Sequence, residues 1–542
     1  MIILHKNISE RSILRQLLAP LRGMSKISTA LRGKSKMPAG QKGVFGKAWL
    51  GFLLLSCSGP SVPSDATHTD KEPDIYPDYN GVTIPANLCP TNFMLPDCEE
   101  AVACLSFGDL SFTYGDDNKI IIDDDEWQEL RSAAAGSDKG IKVEVYGKKD
   151  GKWLSYKSFP IYVAKDTIDP YISYRLIQPS YVAYEHIALV QRNITNYEES
   201  DIYNNRMIHT EENGQCINCH SYQNYGTNNM LFHMRQFCGG TMIVHNGELK
   251  KIDLKTDSTI SAGVYPAWHP TADLVAFSTN TTRQIFHIKD RDKIEVLDYK
   301  SDLILYDVQK NEVSNISNAP DEHECFATWS PDGKTLYYTS AHIDTTIFNQ
   351  GEKSFRKHYD KIKYNIYSRS FDLTTHKFGE PQLVFDAVQL GKSATLPRIS
   401  PDGRYLTFAL GNYGCFHVWH RDADICIIDL QATDTQHPSP NTQALNSPFS
   451  DSYPSFSSNG RWIMTASRRD DGNYTRPYIS YFDAQGKCHK AFAVPQKDPE
   501  RNTLLLRSYN RPEFMKQKVK ITPRQFATKA QEDAVRAKYV NK

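Results

Sequence analysis

Apolar and polar residues alternate along this chain in short runs, and turn signals separate the runs. Between about Val82 and Asn196 the segments Ser111 to Tyr114, Lys119 to Ile122, Ile141 to Tyr146, Trp153 to Phe159 and Tyr171 to Ile177 are aromatic or β-branched. Asp-Asp-Asn, Lys-Lys-Asp-Gly and Asp-Pro stand between them. Runs of this kind predict strands joined by tight turns, and so a small β-sandwich-like domain over 82–196. One helix interrupts it, with an N-cap carboxylate among Asp123 to Asp125, Trp127 and Leu130 on its inner face, and Gly136 past its end. The acidic cluster of Asp116, Asp117, Asp123, Asp124, Asp125 and Glu126 lacks the regular oxygen spacing of a calcium loop. It reads as a solvated turn and a helix cap.

Farther along, the pattern repeats. Tyr265-Pro-Ala-Trp-His-Pro-Thr-Ala-Asp-Leu-Val-Ala-Phe277, Phe326-Ala-Thr-Trp-Ser-Pro-Asp-Gly-Lys-Thr-Leu-Tyr-Tyr338, Leu396-Pro-Arg-Ile-Ser-Pro-Asp-Gly-Arg-Tyr-Leu-Thr-Phe408 and Tyr453-Pro-Ser-Phe-Ser-Ser-Asn-Gly-Arg-Trp-Ile-Met-Thr465 each describe a strand, a tight turn and a second strand. Pro with Asp-Gly or Asn-Gly supplies the turn angles. A further strand ending in Asp follows each hairpin: Leu303 to Asp307, Ile366 to Asp372, Ile425 to Asp429 and Ile479 to Asp483. Multi-stranded repeats of roughly 60 residues predict propeller blades with loop insertions. The Ser-Pro-Asp-Gly-Lys/Arg pattern resembles the WD-like repeat of TolB-type β-propellers, over about Ser261 to Pro495. The resemblance implies a mainly β fold that ends in a TolB-like propeller of five or six blades over 245–510. It also implies a peptide- or protein-binding role at the propeller's central mouth.

Between these regions, 197–244 is rich in Asn, His and Met and reads as a module of its own. It contains Cys216-Ile217-Asn218-Cys219-His220. Two thiols spaced in this way, followed at once by a His, are the pattern of covalent haem attachment, with His220 as the iron ligand. Zinc wants a second Cys or His pair, which is not at hand. One covalent haem c on Cys216 and Cys219 is the expectation. For the sixth iron position His233 is favoured, with Met230, Met234, Met207, His209 and His287 as rivals. Arg235 is placed to reach a propionate.

Export supports that chemistry. The run Ala48 to Ser56 spans about nine residues, too short to cross a membrane and suited to the apolar stretch of a signal peptide. Lys42 and Lys47 precede it, and Leu54-Leu55-Ser56-Cys57 resembles a bacterial lipobox, which makes Cys57 the lipidated residue. Residues 1–57 are thus a leader with a true start expected at Met37, residues 58–81 a flexible tether, and 511–542 a basic tail. Cys89, Cys98 and Cys104 are close enough to pair. Cys238, Cys325, Cys415, Cys426 and Cys488 read as buried free thiols.

Composition narrows the partners. The 63 basic and 63 acidic residues cancel, so nothing in the balance points to nucleic acid. Taken whole, the chain resembles a family of bacterial lipoproteins that join a β-rich domain, a single CxxCH segment and a TolB-like propeller. The first expectation for function is an electron carrier serving a membrane or periplasmic redox protein, lipid-anchored in the cell envelope and facing the periplasm or set in the outer membrane. The second is a non-redox propeller scaffold that binds an envelope protein or peptide. Hydrolase activity is not expected, since no Gly-x-Ser-x-Gly motif accompanies the propeller.

Overall fold

The structure, a computed structural model, describes residues 60–541 apart from 116, 179–185, 211, 289–291, 293, 434 and 436–441. Met37 and the lipobox with Cys57 lie outside the described residues.

Six sheets stand in a ring. Blade 1 is built from Tyr171–Ile177, Ala188–Asn193 and Glu199–Asn204, and Ser508–Met515 pairs antiparallel with Tyr171–Ile177 to complete it. Blade 2 runs Gln215–Gln223, Gly226–Gln236, Gly240–His245 and Glu248–Asp253; blade 3 runs Val264–Trp268, Leu274–Phe286, Ile294–Asp307 and Glu312–Ser317. Blade 4 has Glu322–Trp329, Thr335–His342, Asn365–Asp372 and Gln382–Phe385, blade 5 has Ser393–Ile399, Tyr405–Gly411 and Asp424–Asp429, and blade 6 has Asp451–Phe456, Trp462–Ser467, Arg476–Tyr481 and Phe492–Ala493. The first strand of each blade touches the first strand of the next, and Ser508–Met515 touches those of both blade 6 and blade 2. The result is a closed six-bladed β-propeller, and a ring of blades leaves few sheet edges exposed to unwanted pairing.

Four boundaries move. Residues 58–81 are not a flexible tether throughout, since Thr67–His68 pairs in parallel with Lys152–Ser155 and Ile75 and Tyr79 are buried in the core. The propeller begins at Tyr171 rather than 245, because a strand from the far end of the chain must pair with the N-terminal blade to close the ring. The 197–244 stretch is no separate module, since it supplies the last strand of blade 1 and most of blade 2. Its Asn-, His- and Met-rich composition hides an ordinary alternation in which Ile217, Met230, Phe232, Met234, Met242 and Val244 are buried. Nor is 511–542 a tail. After the closing strand, Thr522 caps the helix Pro523–Ala530 in a reciprocal box with Gln525. Val535–Arg536 and Lys538–Tyr539 then add in parallel to the outer edges of blades 2 and 3.

The N-terminal domain is a seven-stranded sheet in which Glu100–Phe107 pairs with both Leu110–Tyr114 and Ile141–Lys149. Its second layer is the helix Asp124–Ala134 together with a ribbon of Phe93–Met94 and Lys119–Ile120. Trp127, Leu130 and Ala134 are buried beneath the helix, and the Trp127 indole donates to the Leu88 carbonyl at 3.0 Å. Asp123 accepts from the Asp125 and Glu126 amides, as its position in the sequence anticipates. Replacing Asp123 by Ala should therefore cost about 1 kcal/mol, read as a lower urea midpoint at unchanged slope. This domain shares one core with the propeller, which includes Trp462, Met464, Tyr509 and Phe514. Trp462 Nε1 donates to the Thr167 carbonyl at 3.0 Å, and Ser458 Oγ donates to Asp169 at 2.6 Å. The described cysteines are all free, Cys89, Cys98 and Cys104 among them, and Cys238 is only half-buried.

Candidate functional site

The innermost strand of every blade, Ser508–Met515 in blade 1 and the first strand in the others, breaks register near its middle, at Cys219, Tyr265, Phe326, Leu396, Tyr453 and Arg511, with a second break at Tyr222/Gln223 in blade 2. Five of these six, all but Cys219, hold φ between 50° and 58°. The left-handed region costs a non-glycine residue about 1–2 kcal/mol, and a bulge of this kind re-aims a side chain. Here it turns them onto the channel axis, where they converge around spaces of only about 10 and 40 Å3. The ring they form closes the channel and leaves a blind mouth on each side.

This ring explains the CxxCH segment. Cys219-His-Ser-Tyr-Gln-Asn-Tyr-Gly226 occupies the place in blade 2 that Phe326-Ala-Thr-Trp-Ser-Pro-Asp-Gly333 occupies in blade 4, with Cys219 at the bulge and the turn glycine seven residues on. The motif is a divergent copy of the blade hairpin.

Its residues do not fit a covalently held porphyrin. Cys216 and Cys219 lie on one bulged β-strand, Gln215–Gln223, rather than on a helical turn, and they border different spaces. Cys216 lines the larger mouth, whereas Cys219 and His220 border the 40 Å3 space, which has room for roughly two or three waters. His220 is in register with Phe232, and its ring packs toward blade 1 beside Ser173 and Glu513. His233, the next residue on a regular stretch, points from the opposite face, where Nδ1 lies 3.1 Å from Thr241 Oγ1. His220 and His233 therefore cannot ligate one iron from its two sides, and the expected axial pair is withdrawn. Met230 and Met234 are core residues, Met207 is exposed, and His287 packs against Tyr359. Arg235 is exposed, across the strand from Cys216.

Burial keeps both histidines neutral, with His220 pushed down to about 4 and His233 to about 3. Unfolding frees each to take up a proton below its ordinary value near 6.5, so their contribution to stability is present above that pH and lost as pH falls toward 4. A His233→Gln variant should accordingly show a shallower loss of unfolding free energy between pH 7 and 4.5 than the parent protein. Equal slopes would contradict that assignment.

Among the described residues, the larger mouth, about 440 Å3, is lined by Arg175, Arg235 and Arg283 and by no carboxylate. Arg283 pairs with Glu352 outside the mouth. Arg175 has no acidic partner in it. Its Nη1 donates to the Ile217 carbonyl at 3.1 Å and to Asn218 Oδ1, its Nη2 donates to Asn510 Oδ1 at 2.9 Å, and its Nε is buried without a partner. Trp419, Phe416, Tyr265 and Tyr453 supply apolar wall, and Arg468 stacks on Trp419 at 4.6 Å. The turn-side mouth, about 420 Å3, holds Arg398 and Arg511. They share Glu513, at 3.5 and 3.1 Å, and burial pushes Arg398 down to about 10. In a chain of zero formal charge, five arginines thus line the two mouths against one carboxylate among the described residues. A cleft lined by one sign of charge focuses the field and attracts the opposite sign.

Sequence reasoning took the aromatic heads of the repeats for core and passed over Arg175, Arg398 and Arg511. Aligning Cys219 and Arg511 with the four clear repeats would have exposed the ring, since Pro512 follows Arg511 as Pro266, Pro397 and Pro454 follow their partners.

No protein-family model matches the chain, and no curated protein matches it. Among solved structures it is similar to TolB from Acinetobacter baumannii, with 14% identity and a TM-score of 0.39 over 72% of this chain and 85% of that one. A nidogen/laminin complex chain follows at 8% identity and a TM-score of 0.36, over 64% of this chain and 100% of that one. Synechocystis apocarotenoid oxygenase has 12% identity and a TM-score of 0.34, over 79% and 95%. What identifies the architecture is the sheet order itself: a six-bladed β-propeller carrying an N-terminal β domain.

Proposed function

We propose that this protein is a non-redox binding module of the cell envelope whose larger mouth receives an acidic peptide segment of another envelope protein. One observation carries the reading: among the described residues, three arginines and no carboxylate line an aromatic-walled mouth of about 440 Å3. Arg175 is pre-set for the role, because Asn218, Asn510 and the Ile217 carbonyl hold its guanidinium without neutralising it. A planar fork fixed in advance loses little freedom on meeting a carboxylate. The ring of bulge residues forms the floor, so the segment inserts rather than threads. The envelope setting rests on the lipobox reading of Cys57.

The test is a titration of the full chain with a fluorescein-labelled Asp/Glu-rich peptide and with its Asn/Gln counterpart, at low and high salt. Saturable binding of the acidic peptide that weakens with salt supports the proposal. Equal affinity for the two peptides would remove it.

The electron-carrier reading keeps one point in its favour. His220 Nε2 is buried without a hydrogen-bond partner and belongs to a neutral imidazole, which suits a metal ligand. It has its own test below.

A further inference from the structure

Three successive blades bring unlike metal-ligating side chains to one point in the core. Asp298 comes from the third strand of blade 3, Cys325 from the first strand of blade 4, and Cys415 from the connection after Tyr405–Gly411 of blade 5. A carboxylate oxygen and the two sulfurs lie within 4.8 Å of one another. All three residues are at least 97% buried, with exposures of 3%, 0% and 1%.

The carboxylate is held as a ligand would be. Asp298 Oδ2 accepts from Ser301 Oγ at 2.7 Å, from Asn280 Nδ2 at 3.2 Å and from Tyr364 Oη at 3.4 Å. Oδ1 is buried and has no partner. Three donors on one oxygen fix the group's orientation, while the other oxygen has lost water and gained nothing in return, which is costly for a buried acid. A carboxylate anchored through one oxygen and bare at the other, beside two thiols, is the arrangement that a bound cation completes.

We propose that Asp298, Cys325 and Cys415 bind one zinc ion that ties blades 3, 4 and 5 together. Two thiolates select a borderline-soft ion over calcium or magnesium, and a carboxylate oxygen is an ordinary third ligand for zinc in a tetrahedral set. A water molecule would complete the tetrahedral set, and the Tyr364 hydroxyl, 3.4 Å from Asp298 Oδ2, stays a donor to the carboxylate. Loading converts two thiols to thiolates and releases two protons to solvent, with no change of oxidation state. The neighbouring residues Phe326 and Phe416, whose rings lie 5.7 Å apart, belong to the channel ring and to the wall of the larger mouth. Zinc would thus stiffen the wall, whatever the mouth binds.

The full chain, expressed with added zinc and desalted, should carry one zinc by plasma mass spectrometry. Asp298→Asn should lower zinc affinity about tenfold or more, and Cys325→Ser or Cys415→Ser should remove the ion. Cobalt substitution should give a near-ultraviolet thiolate-to-cobalt band that survives Cys216→Ser with Cys219→Ser and disappears in Cys325→Ser. Only variants with the parent's circular dichroism spectrum are compared. Three outcomes would overturn the proposal: a zinc-free chain with both thiols reactive after unfolding, a Cys325 to Cys415 disulfide in the peptide map, or metal that follows Cys216 and Cys219. None of these bears on acidic-peptide binding, so the two proposals fail separately.

Discussion

Replacing Arg175 and Arg235 together by alanine is expected to weaken binding of an acidic peptide by about 100-fold or more. A hydrogen bond to a charged group contributes about 1.5–3 kcal/mol, so two such contacts contribute about 3–6 kcal/mol, and each 1.4 kcal/mol is a factor of ten in affinity. Arg175 dominates, because its two amide partners fix the guanidinium at the mouth while supplying no negative charge. Arg235 is exposed and freer, and its share should fall faster with salt. Lysine at both positions keeps the charge and loses the planar fork, so an intermediate affinity is expected. Fluorescence anisotropy with the labelled peptide measures all three proteins. An unchanged Kd in the double alanine variant, with a native circular dichroism spectrum, would place the binding surface elsewhere.

A chain ending at Arg507 is expected to lose its cooperative unfolding transition. The deleted part carries the strand Ser508–Met515, which completes blade 1, and with it Tyr509, Phe514 and Met515, all at most 1% exposed. It also removes Phe526, which packs edge-on to Phe232 of blade 2 with ring centroids 5.0 Å apart. Each such side chain contributes about 1.5–3 kcal/mol on burial, and four of them reach the 5–15 kcal/mol that holds a domain together. Ending the chain at Gln531 instead removes the short parallel strands Val535–Arg536 and Lys538–Tyr539 at the outer edges of blades 2 and 3, with one small core residue, Ala537, and one carbonyl partner of Lys251. That protein should keep a sharp transition a few degrees lower. Differential scanning calorimetry distinguishes the two. A sharp transition in the Arg507-terminated chain would show that blade 1 does not depend on its closing strand.

The hairpins of blades 4 to 6 were legible because Asp-Gly and Asn-Gly turns advertise them, that of blade 3 because its Pro and flanking aromatic residues repeat their pattern, and the helix Asp124–Ala134 because its cap and inner face are both explicit in the sequence. Blades 1 and 2 were not. In blade 2 the turn reads Gln223-Asn224-Tyr225-Gly226, with positive φ at Asn224 and Tyr225, and nothing in the local composition marks it as a relative of Ser-Pro-Asp-Gly. Blade 1 is completed by a strand more than 300 residues away in the chain, a pairing that no local periodicity reveals. The site suffered for the same reason. Cys219 and His220 were read by their spacing, when their position in a repeat places one at the channel ring and the other between two blades. Arg175 became visible as a binding residue only once Asn218 and Asn510 came to it from two other strands.

The central claim is that Cys216, Cys219 and His220 belong to a propeller strand and that the protein works without haem. The most direct measurement is expression in the periplasm together with the haem-attachment machinery, followed by intact mass and a pyridine haemochrome spectrum. The account predicts the mass of the bare polypeptide and no haemochrome band. One covalent haem per chain, lost when Cys216 and Cys219 are replaced by serine, would contradict it and restore the electron carrier.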